Sequence, residues 1–327
     1  MKKKISILGS TGSIGLDVLK IVSKKKNLFI VNILAANKNY KLICKQIHQF
    51  KPKIFVINDY KTFLKVKKKY KRLEVKILNN FKVQKHFSNS DISVAAIPGI
   101  AGLAPTIELV QKSKKILIAN KESVVCGWNI IQKLAKRHNT KIIPVDSEHF
   151  SIMQLLKDHK PKEIKKIYLT ASGGPFLNYS LSQLKKVQPS RAIKHPKWKM
   201  GKKITIDSST MMNKILELIE AQKLFNIPSK KLDILIHPNS LVHAIVMFNN
   251  GITKMLYHQT TMIMSQMKKQ GEMSEVGESL YREKPDSTIT GALRSQGTFK
   301  QSEDSKSTSG SVHMKQAGYI MGQSKNA

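Results

Sequence analysis

Acidic side chains are what this 327-residue sequence has fewest of for its size: 21 Asp and Glu stand against 57 Lys and Arg, a formal net charge of +36. Such an excess raises nucleic acid as a partner, but the kind of base argues against a specific one. Arginine, whose planar fork reads base edges, is confined to Arg72, Arg137, Arg191, Arg282 and Arg294. Lysine is spread along the chain with no aromatic-interleaved basic block, which fits a solvated surface that also attracts small anions. Cysteine is scarcer still. Cys44 and Cys126 each fall in an apolar helical pattern, so two buried, reduced thiols are expected, with neither a disulfide nor a cysteine metal site. Long apolar runs are missing too: no stretch approaches the roughly 18 residues of a membrane span. Residues 1–4 lead straight into a strand instead of a signal-peptide core, so the expected location is cytoplasmic.

What is present is an alternation of strand and helix patterns. Residues 4–8 read as a buried strand, followed by Gly9-Ser-Thr-Gly-Ser-Ile-Gly15 and an amphipathic helix over 14–24. Glycines at this point let the backbone turn sharply and approach a pyrophosphate, which meets free N–H groups at the positive end of a helix; the plainer reading is a turn. The next strand, 29–35, ends in Ala36-Asn37-Lys38-Asn39. A free ribose 2′-hydroxyl would want an acid there and none is present, whereas Lys38 offers a positive charge to a 2′-phosphate. NADPH is therefore expected over NADH, unless Lys38 is one surface lysine among many. Apolar runs at 53–57, 74–78, 92–97, 115–119 and 141–145 continue the alternation. It predicts a parallel sheet covered on both faces, with ligands at the carboxyl ends of its strands.

The last of those runs closes with Asp146 and Glu148, two carboxylates in three residues. Past a strand end they can share one hard divalent cation such as Mg²⁺ or Mn²⁺; alternatively Asp146 or Ser147 caps a helix over 150–156 with Glu148 in its first turn. Asn120, Lys121 and Glu122 present the same choice between a ligand site and a helix start. Further on, Ala171-Ser172-Gly173-Gly174-Pro175-Phe176 forms a Gly-rich turn able to aim N–H groups and the Ser172 hydroxyl at an anion. The stretch His195-Pro-Lys-Trp-Lys-Met-Gly201 reads as a loop that could close over a ligand, though Trp198 could equally be fixed core. Residues 204–210 lead into a helix over 211–224, with Ser208 ahead of it and Asn213, Lys214 and Glu217 in its first two turns. A serine, an amide and a lysine near a helix start suit phosphate, and Glu217 adds an oxygen ligand. Strands at 232–237, 241–248 and 252–257 would build a second sheet, the last two joined at Asn249-Asn250-Gly251. From about residue 265 apolar periodicity fades, and the composition reads as disordered or poorly packed.

Taken together, Gly9–Gly15, Ala119-Asn-Lys-Glu-Ser123, Pro144-Val-Asp-Ser-Glu-His149, Ser172-Gly-Gly-Pro-Phe176, His195–Gly201 and Asp207-Ser-Ser-Thr-Met-Met-Asn-Lys214 resemble, in order, the motifs of the 1-deoxy-D-xylulose 5-phosphate reductoisomerases. The resemblance covers residues 1–264. It implies an α/β fold with an NADPH-binding, Rossmann-like doubly wound sheet over 1–148, an α+β catalytic domain over 149–264 whose lid is 195–201, and a divergent tail over 265–327 in place of the family's C-terminal helical domain. It implies Asp146, Glu148 and Glu217 as ligands of Mg²⁺ or Mn²⁺. Lys121, Ser147, Glu148, Ser172, His195, Ser208, Asn213, Lys214 and Glu217 would be catalytic or substrate residues, with Ser172, Ser208, Asn213 and Lys214 around the phosphate. Cofactor contacts would come from Thr11, Gly12, Ser13, Ile14, Asn37, Lys38, Asn39, Asn120, Glu122 and Gly201. The implied activity is NADPH- and metal-dependent isomerisation and reduction of 1-deoxy-D-xylulose 5-phosphate to 2-C-methyl-D-erythritol 4-phosphate, in the non-mevalonate isoprenoid pathway, by a homodimer. The alternative is an inactive NADPH-binding remnant. Ile215 departs from the pattern, standing where the family has Gly after Asn-Lys.

Overall fold

The computed structural model describes residues 2–81, 88–193 and 202–257, with side chains from 205 onward in the last segment. The first half alternates β1 (Lys3–Leu8), α1 (Ser13–Lys24), β2 (Phe29–Ala36), α2 (Tyr40–Phe50), β3 (Ile54–Ile57), α3 (Tyr60–Lys69), β4 (Lys76–Leu78), β5 (Ser90–Ala95), α4 (Leu103–Val110), β6 (Ser113–Ile118), α5 (Lys121–Arg137) and β7 (Lys141–Pro144). Its strands form one sheet in the order β4-β3-β2-β1-β5-β6-β7. Every pairing in it is parallel. Helices cover both faces, which is why β3 is apolar at all four positions and wholly buried. Two cores result, one around Ile5, Val18, Ile43 and Phe55 and the other around Ile33, Leu109, Ile116 and Ile131. The strand order reverses between β1 and β5, the point where doubly wound folds leave a crevice for ligands.

The second half runs α6 (Ser147–Leu155), β8 (Ile164–Ala171), α7 (Leu181–Leu184), α8 (Pro189–Ala192), α9 (Lys202–Ser209), α10 (Met212–Phe225), β9 (Leu232–Ile236), β10 (Val242–Phe248) and β11 (Thr253–Tyr257). A four-stranded mixed sheet, β11-β10-β8-β9, is covered by α6 and α10. The β10–β11 hairpin turns at Gly251, whose φ of 84° is left-handed. Helix α10 serves both halves: Ala221 lies in the core of the smaller sheet while Leu224 packs on that of the larger.

Two expectations need correction. Cys126 is exposed, although Cys44 is buried as expected; on α5 it is Gly127, Trp128 and Ile131 that face inward, so the apolar pattern around Cys126 belongs to its neighbours. Residues 204–209 also prove to be helical themselves, as most of α9, and the chain breaks before α10 at Met211, which adopts a left-handed φ of 60°. The motif stretch 195–201, with His195, Trp198 and Gly201, and the tail 265–327 lie outside the described residues. Among those that are described, no helix is long and apolar enough to cross a membrane.

Candidate active site

The glycine turn lies at the strand-order reversal. Gly9 has a φ of 79°, and a Cβ there would meet the Ala96 carbonyl oxygen, past the end of β5, at 2.5 Å. A Cβ on Gly15 would fall 2.3 Å from the Gly9 carbonyl oxygen. Both glycines are thus required by close backbone approach. Ser10 pins the turn from below, its hydroxyl donating to Gln46 Oε1 at 2.7 Å while Gln46 Nε2 donates back to the Ser10 carbonyl at 2.8 Å. Helix α1 begins at Ser13 with no side-chain cap and no acid in its first turn. Its leading N–H groups are left for an anion, with Gly12 and Ser13 exposed and Thr11 and Ile14 partly so. Asn37, Lys38 and Asn39 are exposed beyond β2, where Asn39 Oδ1 also caps α2 by accepting from Leu42 N at 3.2 Å. Asn120 is buried and its amide is engaged by backbone: Oδ1 accepts from Ser123 N at 2.6 Å, and Nδ2 donates to Gly99 O at 2.8 Å and to Ile97 O. The helix-start reading of Asn120 is the one its side chain follows, with Glu122 in the first turn of α5.

A second cluster gathers where α5, α6 and α10 converge. Asp146 caps α6, Oδ1 accepting from Glu148 N at 3.3 Å, and Glu148 occupies the first turn. Capping and ligand clustering, posed as alternatives by the sequence, coexist: ligand oxygens of Asp146, Glu148 and Glu217 lie within 4.8 Å of one another. Two ammonium groups hold them together. Lys121 Nζ donates to Asp146 Oδ2 at 3.0 Å, to Glu217 Oε1 at 2.9 Å and to Asn213 Oδ1 at 2.9 Å. Lys214 Nζ donates to Glu148 Oε1 at 2.6 Å and lies 2.5 Å from Glu217 Oε2. Asn213 Nδ2 donates to Glu217 Oε1, and the Ser147 hydroxyl donates to Glu148 Oε2 at 2.5 Å. Asn213 and Lys214 are therefore committed here to the carboxylates.

The Ser172 turn packs on α9, the helix that precedes α10. Gly173 and Gly174 are both left-handed, and a Cβ on Gly174 would stand 2.8 Å from the Ser208 carbonyl oxygen. Glycine at 174 is what lets the turn close on the end of α9. Gly174 N donates to Ser172 Oγ at 3.4 Å, and Ser172 and Ser208 are both partly buried. Ile215 follows Lys214 on α10, partly buried.

Two residues that the motif reading passed over complete the cluster. His149 is fully buried; its Nε2–H donates to the Glu217 carbonyl oxygen at 2.9 Å, and its Nδ1 lies 3.4 Å from Asp146 Oδ1 and 3.5 Å from Glu220 Oε2. Glu220 is buried one turn beyond Glu217. The three-residue spacing of Glu217 and Glu220 was the available signal, since it places both on one helix face.

Carboxylates outnumber the cationic groups of the cluster by one. Asp146, Glu148, Glu217 and Glu220 face Lys121, Lys214 and His149, so full ionisation leaves a net charge of 3 − 4 = −1. Burial, helped by the neighbouring Glu217 and Asp146 charges, pushes Glu148 up to about 7. Burial likewise raises Glu220 to about 7 against the pull of His149. Burial opposes charge on Lys121 and Lys214, but the surrounding carboxylates outweigh it and hold both ammoniums above their usual range. Burial also opposes charge on Asp146 and Glu217, yet Lys121, joined at Glu217 by Lys214, keeps both carboxyls low. A hard divalent cation fits this donor set: three convergent carboxylates, no sulfur, and a Glu217 Oε2 that accepts no directed hydrogen bond.

A Rossmann-like sheet with a phosphate-ready glycine turn, abutting a carboxylate centre on a second sheet, defines a dinucleotide-dependent, metal-assisted enzyme class. The comparisons narrow it. Residues 5–127 match the family model of 1-deoxy-D-xylulose 5-phosphate reductoisomerase, and residues 142–225 match that of the reductoisomerase C-terminal domain. The 1-deoxy-D-xylulose 5-phosphate reductoisomerase of Pelagibacter ubique (strain HTCC1062) is 51% identical over 264 residues, 80% of this chain and 68% of that protein. A crystal structure of DOX-P reductoisomerase in complex with NADPH, fosmidomycin and magnesium superposes with a TM-score of 0.73 at 35% identity, covering 80% of this chain and 67% of that one. The Zymomonas mobilis reductoisomerase in complex with NADPH gives 0.74 at 33%, covering 90% and 76%. This chain belongs to the 1-deoxy-D-xylulose 5-phosphate reductoisomerase family. The family's C-terminal domain model falls on α6 to α10, and not on the tail.

Proposed function

We propose that this chain converts 1-deoxy-D-xylulose 5-phosphate to 2-C-methyl-D-erythritol 4-phosphate by isomerisation and NADPH-dependent reduction, with Mg²⁺ or Mn²⁺ in the Asp146–Glu148–Glu217 centre. The observation that carries it is that centre: three acids from two distant segments converge within 4.8 Å. NADPH would supply the hydride and the cation Lewis acidity toward the oxyanion that develops in rearrangement; the chain supplies position. Residues 1–148 serve as the cofactor domain and 149–264 as the catalytic domain. Thr11, Gly12, Ser13 and Ile14 take the pyrophosphate on the start of α1, with Asn37, Lys38 and Asn39 at the ribose. Asn120, whose amide is already used, contributes by fixing the loop beside Glu122.

In the substrate pocket Ser172, Ser208, Asn213 and Lys214 take the phosphate, Lys214 exchanging its carboxylate partners for phosphoryl oxygens. Lys121 and the Ser147 hydroxyl offer donors to the substrate's oxygens. By the family resemblance His195 would serve the substrate and Gly201 the cofactor. The proposal extends to a cytoplasmic homodimer acting on a free sugar phosphate, without a specific nucleic-acid or membrane partner. The second reading is an NADPH-binding remnant of such an enzyme. Following NADPH absorbance with 1-deoxy-D-xylulose 5-phosphate and Mg²⁺ tests both. Turnover is the expected result; tight NADPH binding without turnover would select the remnant.

A further inference from the structure

We propose that His149 and Glu220 are a positioning pair that aims Asp146 and Glu217 at a single cation. The inference rests on the metal reading above and asks what holds acids from two separate helices in one geometry.

The Asp146 carboxylate has two differently employed oxygens. Oδ2 points into the cluster, where Lys121 donates to it at 3.0 Å. Oδ1 points away, toward Glu148 N at 3.3 Å and His149 Nδ1 at 3.4 Å. The Glu148 N–H and the ring edge, which approaches Oδ1 at ion-pair distance without a directed hydrogen bond, together bias which oxygen faces the centre. The opposite edge of the imidazole fixes α10, because Nε2–H donates to the main-chain carbonyl of Glu217 itself at 2.9 Å. One ring thus touches both ligand-bearing segments. Phe225 stacks on it with ring centroids 6.4 Å apart, which limits its rotation. Glu220 Oε2, 3.5 Å from Nδ1, is buried and has no hydrogen-bond partner among the described residues. The imidazole is the cation that acts most strongly on this carboxylate, ahead of Lys121. Outer residues that orient ligand carboxylates and fix a ring in this way are as much part of a metal site as the ligands.

The same atoms admit a rival arrangement, since Asp146, His149 and Glu220 also bring ligand atoms within 4.8 Å and would then hold a cation of their own. The test is direct Mn²⁺ titration of the full chain by electron paramagnetic resonance at fixed pH, for wild type, Glu220→Gln, His149→Asn and the double variant. NADPH affinity by fluorescence and the melting temperature are read on the same samples. Positioning predicts one Mn²⁺ per chain and an affinity about ten- to a hundredfold weaker in each single variant. It further predicts a double variant no weaker than the worse single, with NADPH affinity unchanged. Unaltered Mn²⁺ affinity would overturn it, as would losses that multiply in the double variant. A Mn²⁺ loss matched by equal loss of NADPH affinity and melting temperature would mean general loosening and would also overturn it. Two Mn²⁺ per chain, falling to one in the variants, would establish the rival site. If the wild type binds no Mn²⁺, the metal reading itself fails; if it binds and the variants match it, only this inference does. Glu220→Gln keeps the side-chain volume, so the pair stays testable should His149→Asn not fold.

Discussion

The glycine turn after β1 and the cluster between α6 and α10 are both built to hold charge, from opposite materials. The turn is contiguous, spanning residues 9–15, and works through backbone N–H groups that exist only if no Cβ intrudes. The cluster is built mainly from side chains and joins positions as far apart as Lys121 and Glu217, 96 residues distant in sequence. The first is sensitive to shape and the second to charge, so substitutions that change one property should separate them.

The largest separation is expected from Glu217→Gln. It removes a ligand charge without changing volume, so turnover should fall on the order of 10³-fold while NADPH affinity holds; unchanged turnover would take Glu217 out of the centre. Gly9→Ala is the mirror case, combining a left-handed φ with a Cβ 2.5 Å from a carbonyl oxygen. It should cost about 1–3 kcal/mol of stability and weaken NADPH binding, read by denaturant unfolding and fluorescence, with Mn²⁺ affinity of the folded fraction retained. Lys38→Asp should then raise the KM for NADPH about tenfold and leave that for NADH little changed. Equal shifts would place the 2′-phosphate elsewhere.

A smaller, graded effect concerns pH. A divalent cation competes with the proton that Glu148 holds up to about 7, so Mn²⁺ affinity should climb about tenfold per pH unit below neutrality and level off above it. The sign for stability is the reverse. Glu148 and Glu220 are both raised in the folded state, so their contribution is complete below the unfolded carboxyl value of 4.5 and is lost as pH rises through about 7. Metal-free protein should therefore melt lower at pH 8 than at pH 5.5 by this contribution, and added Mn²⁺ should offset the loss; a metal-independent melting curve would remove the coupling.

The contrast also explains what could be read without coordinates. The turn at Gly9, Gly12 and Gly15 was legible because it is written in neighbouring positions, and the seven parallel strands were legible because burial on both faces leaves most of them with an apolar run. Asp146 and Glu148 were visible as a pair, but helix capping and convergence of carboxylates could not be told apart locally, since one geometry serves both. His149 stood in a quoted motif but was given no role, and Glu220 went unnoticed; the two lie 71 positions apart (220 − 149) and meet only through the packing of α10 on α6. Cys126 misled for a related reason: hydrophobic neighbours say that a helix has an inner face, not which residue is on it.

Helix α10 carries a wider consequence. Because Ala221 closes the core of the smaller sheet and Leu224 that of the larger, neither layer can release the helix and stay sealed. The two halves should therefore melt as a single cooperative unit, in one calorimetric peak, even though chemistry assigns them separate tasks.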